Sequence, residues 1–192
     1  GAAGADDARV IQEAVDSLTP SGGEVHLMAG KYRFSQAVRI YNACSFGGVG
    51  KATVIVPPED DFALIVHTED RSPRRWYHDS VLNGVALKDL TIDGQREDGA
   101  CRGRGVCLRN IFDSHYENLW IANTGDGAGL FLEDWVGESN FTNIHLMNCG
   151  NLERRQAAVV IHSSENKPCN NLQFRGLYVI FPRYRGLDFH SE

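Results

Sequence analysis

The sequence has 192 residues (21.3 kDa), 42% of them hydrophobic and 23% charged, which is enough for one domain with a core and unlike a disordered chain. Its formal charge of −6 argues against a nucleic-acid partner, which needs a basic footprint. No apolar run approaches the roughly 20 residues that cross a bilayer, which argues against a membrane partner, and nothing at the start reads as a signal peptide.

The chain opens on a helix. Asp6 or Asp7 is placed to cap it, and Val10, Ile11, Ala14, Val15 and Leu18 recur at helical spacing, predicting a helix over 6–18. Pro20, Ser21, Gly22 and Gly23 then stop it. From Glu24 onward, short alternating apolar runs are separated by Gly, Asn, Asp, Ser and Pro, the texture of many short strands.

Two units repeat and alternate along this stretch. The first is a short strand: ALIVHT from Ala63, GVCLRN from Gly105, GLFLED from Gly129, AVVIHS from Ala158 and GLDFHS from Gly186. The second places apolar residues at i, i+3 and i+5: Leu87, Leu90, Ile92; Tyr116, Leu119, Ile121; Phe141, Ile144, Leu146; Phe174, Leu177, Val179. Starts of the first unit at 105, 129, 158 and 186 are 24, 29 and 28 residues apart, a period that suits one turn of an all-β solenoid. The prediction is a parallel β-helix of about 5–6 coils over 24–192, in a single domain spanning 1–192, with 68–80 as an inserted loop. Arg71, Arg74 and Arg75 make a basic cluster in that loop, read as solvated. Asp89, Asn118 and Asn143 recur just before an apolar strand residue and predict a side-chain ladder at a bend. The five cysteines, Cys44, Cys101, Cys107, Cys149 and Cys169, are odd in number and lack a C-x-x-C, so free thiols are expected rather than a zinc site or a disulfide framework.

The segment GADDARVIQEAVDSL followed by GGEVHLMAGKYRF resembles the opening of pectate-lyase-superfamily proteins, phage tailspikes included, with Met28 where a Pro is usual. The resemblance covers roughly 4–34 and implies a right-handed parallel β-helix, an N-terminal capping α-helix, and polysaccharide as partner. It also implies an extracellular or virion-associated setting and a homotrimer or further domains of the same protein. The chain stops directly after a strand, so the sequence reads as the N-terminal part of a longer protein.

Side chains alternate across a strand, so the first unit predicts which residues face out. Leu64/Val66, Val106/Leu108, Leu130/Leu132, Val159/Ile161 and Leu187/Phe189 should face the core. Two outward columns remain: Ile65, Cys107, Phe131, Val160, Asp188 and, beside it, His67, Arg109, Glu133, His162, His190. The second column is wholly ionisable and lies next to an aromatic ring at Phe131, able to pack on a sugar face.

Hydrolysis needs two carboxyl groups, and Glu133 with Asp188, two strands apart, or with Asp126 instead, supplies them. The alternative chemistry is elimination or epimerisation at a uronate. The segment from Gly186 to His190 is similar to the G-x-D-x-H core of mannuronan C5-epimerases, although Arg185 replaces the preceding Tyr and Pro is absent. On that resemblance Asp188 and His190 transfer protons, and Arg109 or Arg185 holds the substrate carboxylate. The segment from Asn123 to Gly127 is similar to the N-T-D-G strand of polygalacturonases, interrupted by Gly125, and reads first as a glycine-rich turn. The candidate catalytic residues are therefore Glu133, Asp188, His190 and Asp126, and the candidate substrate-binding residues Arg109, Phe131, His162 and Arg185. No cofactor is expected. Related lyases often use calcium, but no acidic cluster stands out for it, and the straight Glu133, His162, His190 column does not converge on one metal ion. The expected function is binding and degradation or modification of a polysaccharide, with a non-catalytic tailspike or adhesin module as the alternative.

Overall fold

The computed structural model describes residues 6–18, 22–68 and 82–191. The inserted loop expected over 68–80 lies, beyond Thr68, outside the described residues, as do Arg71, Arg74 and Arg75.

One helix, α1 (Asp7–Asp16), precedes fifteen strands among the described residues: β1 (Glu24–His26), β2 (Gly30–Arg33), β3 (Val38–Ile40), β4 (Ser45–Gly47), β5 (Thr53–Val56), β6 (Phe62–His67), β7 (Leu82–Asn83), β8 (Ala86–Asp93), β9 (Arg104–Phe112), β10 (His115–Ala122), β11 (Leu130–Val136), β12 (Asn140–Met147), β13 (Val159–Ser163), β14 (Gln173–Ile180) and β15 (Leu187–Ser191). They form two sheets with every named pairing parallel. The first runs β1-β4-β8-β10-β12-β14 and the second β3-β6-β9-β11-β13-β15. From β8 to β15 the chain changes sheet at every strand, a solenoid-like path in which each repeat unit belongs to one sheet.

The register stacks like on like. Leu87, Tyr116, Phe141 and Phe174 are mutual partners, as are Leu90, Leu119, Ile144 and Leu177. Tyr116, Phe141 and Phe174 stack with ring centroids 4.7 and 4.6 Å apart, and the first two are essentially buried. In this unit two residues separate the first pair of apolar positions, and a regular strand would then point the second one outward. The phase is restored by a residue in the left-handed region: Asp89, Asn118 and Asn143 have φ of 55°, 52° and 54°, and Gly176 takes the same place at 75°. The predicted ladder is present: Asn118 Nδ2 donates to Asp89 Oδ1 (2.9 Å), and Asn143 Nδ2 to Asn118 Oδ1 (2.8 Å).

Asp6 is the N-cap, accepting from the Ala8 N–H at 3.2 Å. The helix buries Ala8, Ile11 and Val15, while Val10 is 57% exposed and Ala14 is exposed as well. The docked stripe is narrower than the sequence suggested because polar side chains of α1 also bind the neighbouring backbone. Asp7 accepts from the Arg33 N–H (2.8 Å), and Gln12 exchanges two hydrogen bonds with the Arg39 backbone (2.7 and 3.0 Å). The helix thereby pairs groups that strands β2 and β3 would otherwise present unpaired.

In the second sheet Leu64, Val66, Val106, Leu108, Leu130, Leu132, Val159 and Ile161 are all buried as expected. Leu187 and Phe189 depart from the reading at 41% and 68% exposed, because β15 is the outermost strand of its sheet. All five cysteines are free thiols.

Candidate functional site

The columns form as the alternation dictates. Ile65 pairs with Cys107, Cys107 with Phe131, Phe131 with Val160, and Val160 with Asp188; one step along, His67, Arg109, Glu133, His162 and His190 stand in register. Arg39 on β3 extends the first column beside Ile65. Outward placement is not the same as exposure. Cys107 and Val160 are each 5% exposed, and Val160 packs with Ala128, Ala157 and the flank of Phe131. Burial pushes the Cys107 thiol up to about 12, so it is inert at neutral pH.

A groove of about 750 Å³ lies over β3, β6, β9 and β11. Its floor is Ile65, Cys107 and Phe131; His67, Arg109 and Glu133 stand at one end, and Asp61, Phe62, Arg104 and Gln156 at the other. Arg109 holds Glu133 with two hydrogen bonds to the same oxygen, Oε2: one from Nε at 2.9 Å and one from the guanidinium terminus. Burial works against the Arg109 cation, but the bonds to Glu133 outweigh it and its pKa is raised. Just past Glu133 the register of β11 slips, with Asp134 and Trp135 both at φ 49°, and this bulge ends the regular in–out alternation along that strand. Burial alone would raise the Asp134 carboxyl, but hydrogen bonds from Ser164 (Oγ at 2.6 Å) and Lys167 (3.4 Å) bring it below its ordinary value.

Glu133, Arg109 and Phe131 therefore share one groove, and the other candidates stand elsewhere. Asp188 is held by Arg185 at 3.7 Å and His190 at 3.0 Å, with its side chain only 14% exposed. His190 faces His162 edge-on at 6.3 Å and lines a separate hollow with Cys169, Phe174 and Phe189. Neither Asp188 nor His190 lines the groove that holds Glu133. Asp126 is tied into its turn, where its carboxylate accepts the Gly103 N–H at 2.5 Å and its carbonyl accepts from Arg154 at 3.1 Å. A Cβ at Gly125 would lie 1.8 Å from the Cys101 carbonyl oxygen, so the turn has glycine there for reasons of packing. Among the described residues no group of three or more His, Cys, Asp or Glu side chains is arranged to hold a metal ion.

Reading the repeats missed Arg39, Asp61, Phe62, Arg104 and Gln156. Phe62 and Arg104 occupy the register position directly before the first repeat unit and pair with each other, so the signal was one residue outside the pattern.

No protein-family model matches the chain, and no curated protein matches it. Among solved structures it is similar to ORF18 of Geobacillus virus E2, with a TM-score of 0.72 and 21% identity over 98% of this chain. The chain spans 38% of the length of that viral protein. It is also similar to a protein of Parabacteroides merdae provisionally described as a glycosyl hydrolase, with a TM-score of 0.53 and 12% identity, covering 90% of this chain and 87% of the other. At these identities the likeness is one of fold.

Proposed function

We propose that this chain is part of a right-handed parallel β-helix of about 5–6 coils, capped by α1, that binds a polysaccharide on the outer face of its second sheet and cleaves or modifies it. The observation that carries this reading is the Arg109-held Glu133 beside Phe131 in an open groove of about 750 Å³. A carboxylate fixed at Oε2 keeps its second oxygen for a sugar hydroxyl or a water, and the neighbouring ring offers an apolar surface to sugar C–H groups. Asp188 and His190, hydrogen-bonded to each other two strands away, are a second proton-handling pair. At strand spacings of ~4.8 Å, they lie about 10 Å along the stack from Glu133, within the reach of one polymer that also passes His162 and Arg185. Asp126, fixed in its turn, is assigned a positioning role.

The second reading is a non-catalytic rod, a tailspike or adhesin module in a virion-associated or extracellular trimer. It is favoured by the prior engagement of both acids, Glu133 with Arg109 and Asp188 with Arg185 and His190. The chain is tested against bacterial capsule and plant or algal polysaccharides. New reducing ends indicate hydrolysis, and the absorbance of an unsaturated uronate indicates elimination. Glu133→Gln is expected to lower turnover by about 100-fold or more. Binding without product, unchanged in Glu133→Gln, would establish the rod.

A further inference from the structure

The charges around the groove do not balance. Arg39, Arg104 and Arg109 face Asp61 and Glu133, an excess of one positive charge in a chain whose formal charge is −6. Arg109 is engaged by Glu133. The Arg104 guanidinium has neither a hydrogen bond nor an ion pair among the described residues, and its Nε is buried without a partner. Its one neighbour of note is the Phe62 ring, whose centroid lies 5.3 Å away. Phe62 is buried and tilted against Phe131 at 6.0 Å, so it gives the guanidinium a fixed platform. Asp61, the nearby acid, points one oxygen at the Phe62 N–H (2.7 Å). Among the described residues Arg39 has only its backbone engaged, by Gln12. It stands on β3, two strands across and three residues along from Arg104, about 14 Å away at ~4.8 Å per strand and ~3.3 Å per residue. Gln156 accepts from the Ala128 N–H through Oε1 (3.2 Å), which leaves its NH2 as a donor facing the groove.

We infer that this end of the groove is a subsite for an acidic sugar, with the Arg104 fork as the group that binds the sugar's oxyanion, Gln156 beside it and Arg39 further along the groove. The inference rests on the polysaccharide reading above and adds a substrate class to it. A partly buried guanidinium with no counter-ion is costly, and a bound carboxylate or sulfate removes that cost through paired N–H bonds. A guanidinium lying over an aromatic ring uses none of its N–H donors there and keeps them for such an ion. A neutral sugar offers nothing to match the excess charge. Arg104, rather than Arg109 or Arg185, is the anion-binding residue here, because those two already hold Glu133 and Asp188.

The test is a titration of the 15N-labelled chain followed at the Arg104 Nε–H resonance, assigned by its loss in Arg104→Lys. The ligands are glucuronate, glucose 6-sulfate, glucose and acetate. A saturable shift is expected with glucuronate or the sulfated sugar, whichever oxyanion the subsite takes. No shift is expected with glucose, and acetate should bind at least tenfold more weakly. Arg104→Gln should weaken binding of the acidic sugar by tenfold or more without lowering the melting temperature. If glucose binds at Arg104 as tightly as glucuronate, the subsite is a neutral one and the inference fails, with the polysaccharide reading intact. Equal binding of acetate and glucuronate makes it a bare anion site and also overturns the inference. If no sugar shifts Arg104 while a polysaccharide of the panel is bound, the inference alone falls. If no polysaccharide is bound either, both fall.

Discussion

The outward side chains of β10, β12 and β14 on the first sheet satisfy one another, whereas those of β3, β6 and β9 on the second leave charge unmatched. On the first sheet Trp120, His145 and Tyr178 stack with centroids 4.5 Å apart at each step, and Lys51 covers the free Trp120 face at 3.7 Å. Up to Tyr178, the half-exposed ring at its end, such a stack turns ring edges rather than faces to solvent, so it is a poor platform for sugars despite its composition. His145 Nε2 also binds Asn143 at 2.7 Å, which joins the aromatic stack to the Asp89, Asn118, Asn143 ladder. On the second sheet the Arg104 and Arg39 guanidinium groups have no such hydrogen-bond or ion-pair partners among the described residues. The same register rule thus builds a self-contained wall on one side and a receptive one on the other. Coverage by neighbours, rather than residue type, separates them.

That contrast can be broken from either side. The largest stability effect is expected at the ladder: Asn118→Val forces a β-branched residue to φ 52° and should cost about 1–3 kcal/mol in denaturant melts, while Asn118→Gly costs less. Trp120→Ala removes one stacked pair and the Lys51 contact and should cost about 1–2 kcal/mol, again by denaturant melts. Neither change should affect glycan binding on the opposite sheet, and a tenfold loss in either would make the first wall part of the site. Arg104→Gln, by contrast, should lower stability by less than about 0.5 kcal/mol, since no described ion pair is lost. The smallest effect concerns His145. Burial, then the charge of Lys51, holds its pKa below 6.5, so folding favours the neutral ring. The stability this gives is full above 6.5 and falls away as pH drops toward the folded value. Lys51→Ala should move the His145 titration, followed by NMR, upward and soften that acid loss. A downward move would contradict the contact.

Much of the fold was legible because a strand has only two faces. Alternation fixed which of Leu130, Phe131, Leu132 and Glu133 lie inside, and parallel pairing of like units then aligned the columns. What alternation does not carry is cover. Cys107 and Val160 point outward yet are buried, and Leu187 and Phe189 point inward yet are exposed. Nor does it carry partnership: Glu133 and Asp188 looked like a carboxyl pair in projection, but each has its own cation and surroundings. The groove's Arg104 end was missed because it is made from residues that lie before the repeat, brought together only when the turns fold onto the sheet.

The left-handed residue in each of β8, β10, β12 and β14 also sets where the sequence can change length. It acts as a phase marker: the residues after it are read inward only because it is there. With Asn118 kept in the left-handed region, deleting Glu117 would bring Leu119 and Ile121 into the opposite phase and turn the end of that strand inside out. Exchanging such a residue for glycine keeps the frame, as Gly176 at φ 75° already does one rung further along. Apart from the bulge after Glu133, changes of length therefore fall in the turns. That is where the repeat absorbs its own variation, spacing successive strands of the second sheet by 24, 29 and 28 residues while the columns through Phe131 and Glu133 stay in step.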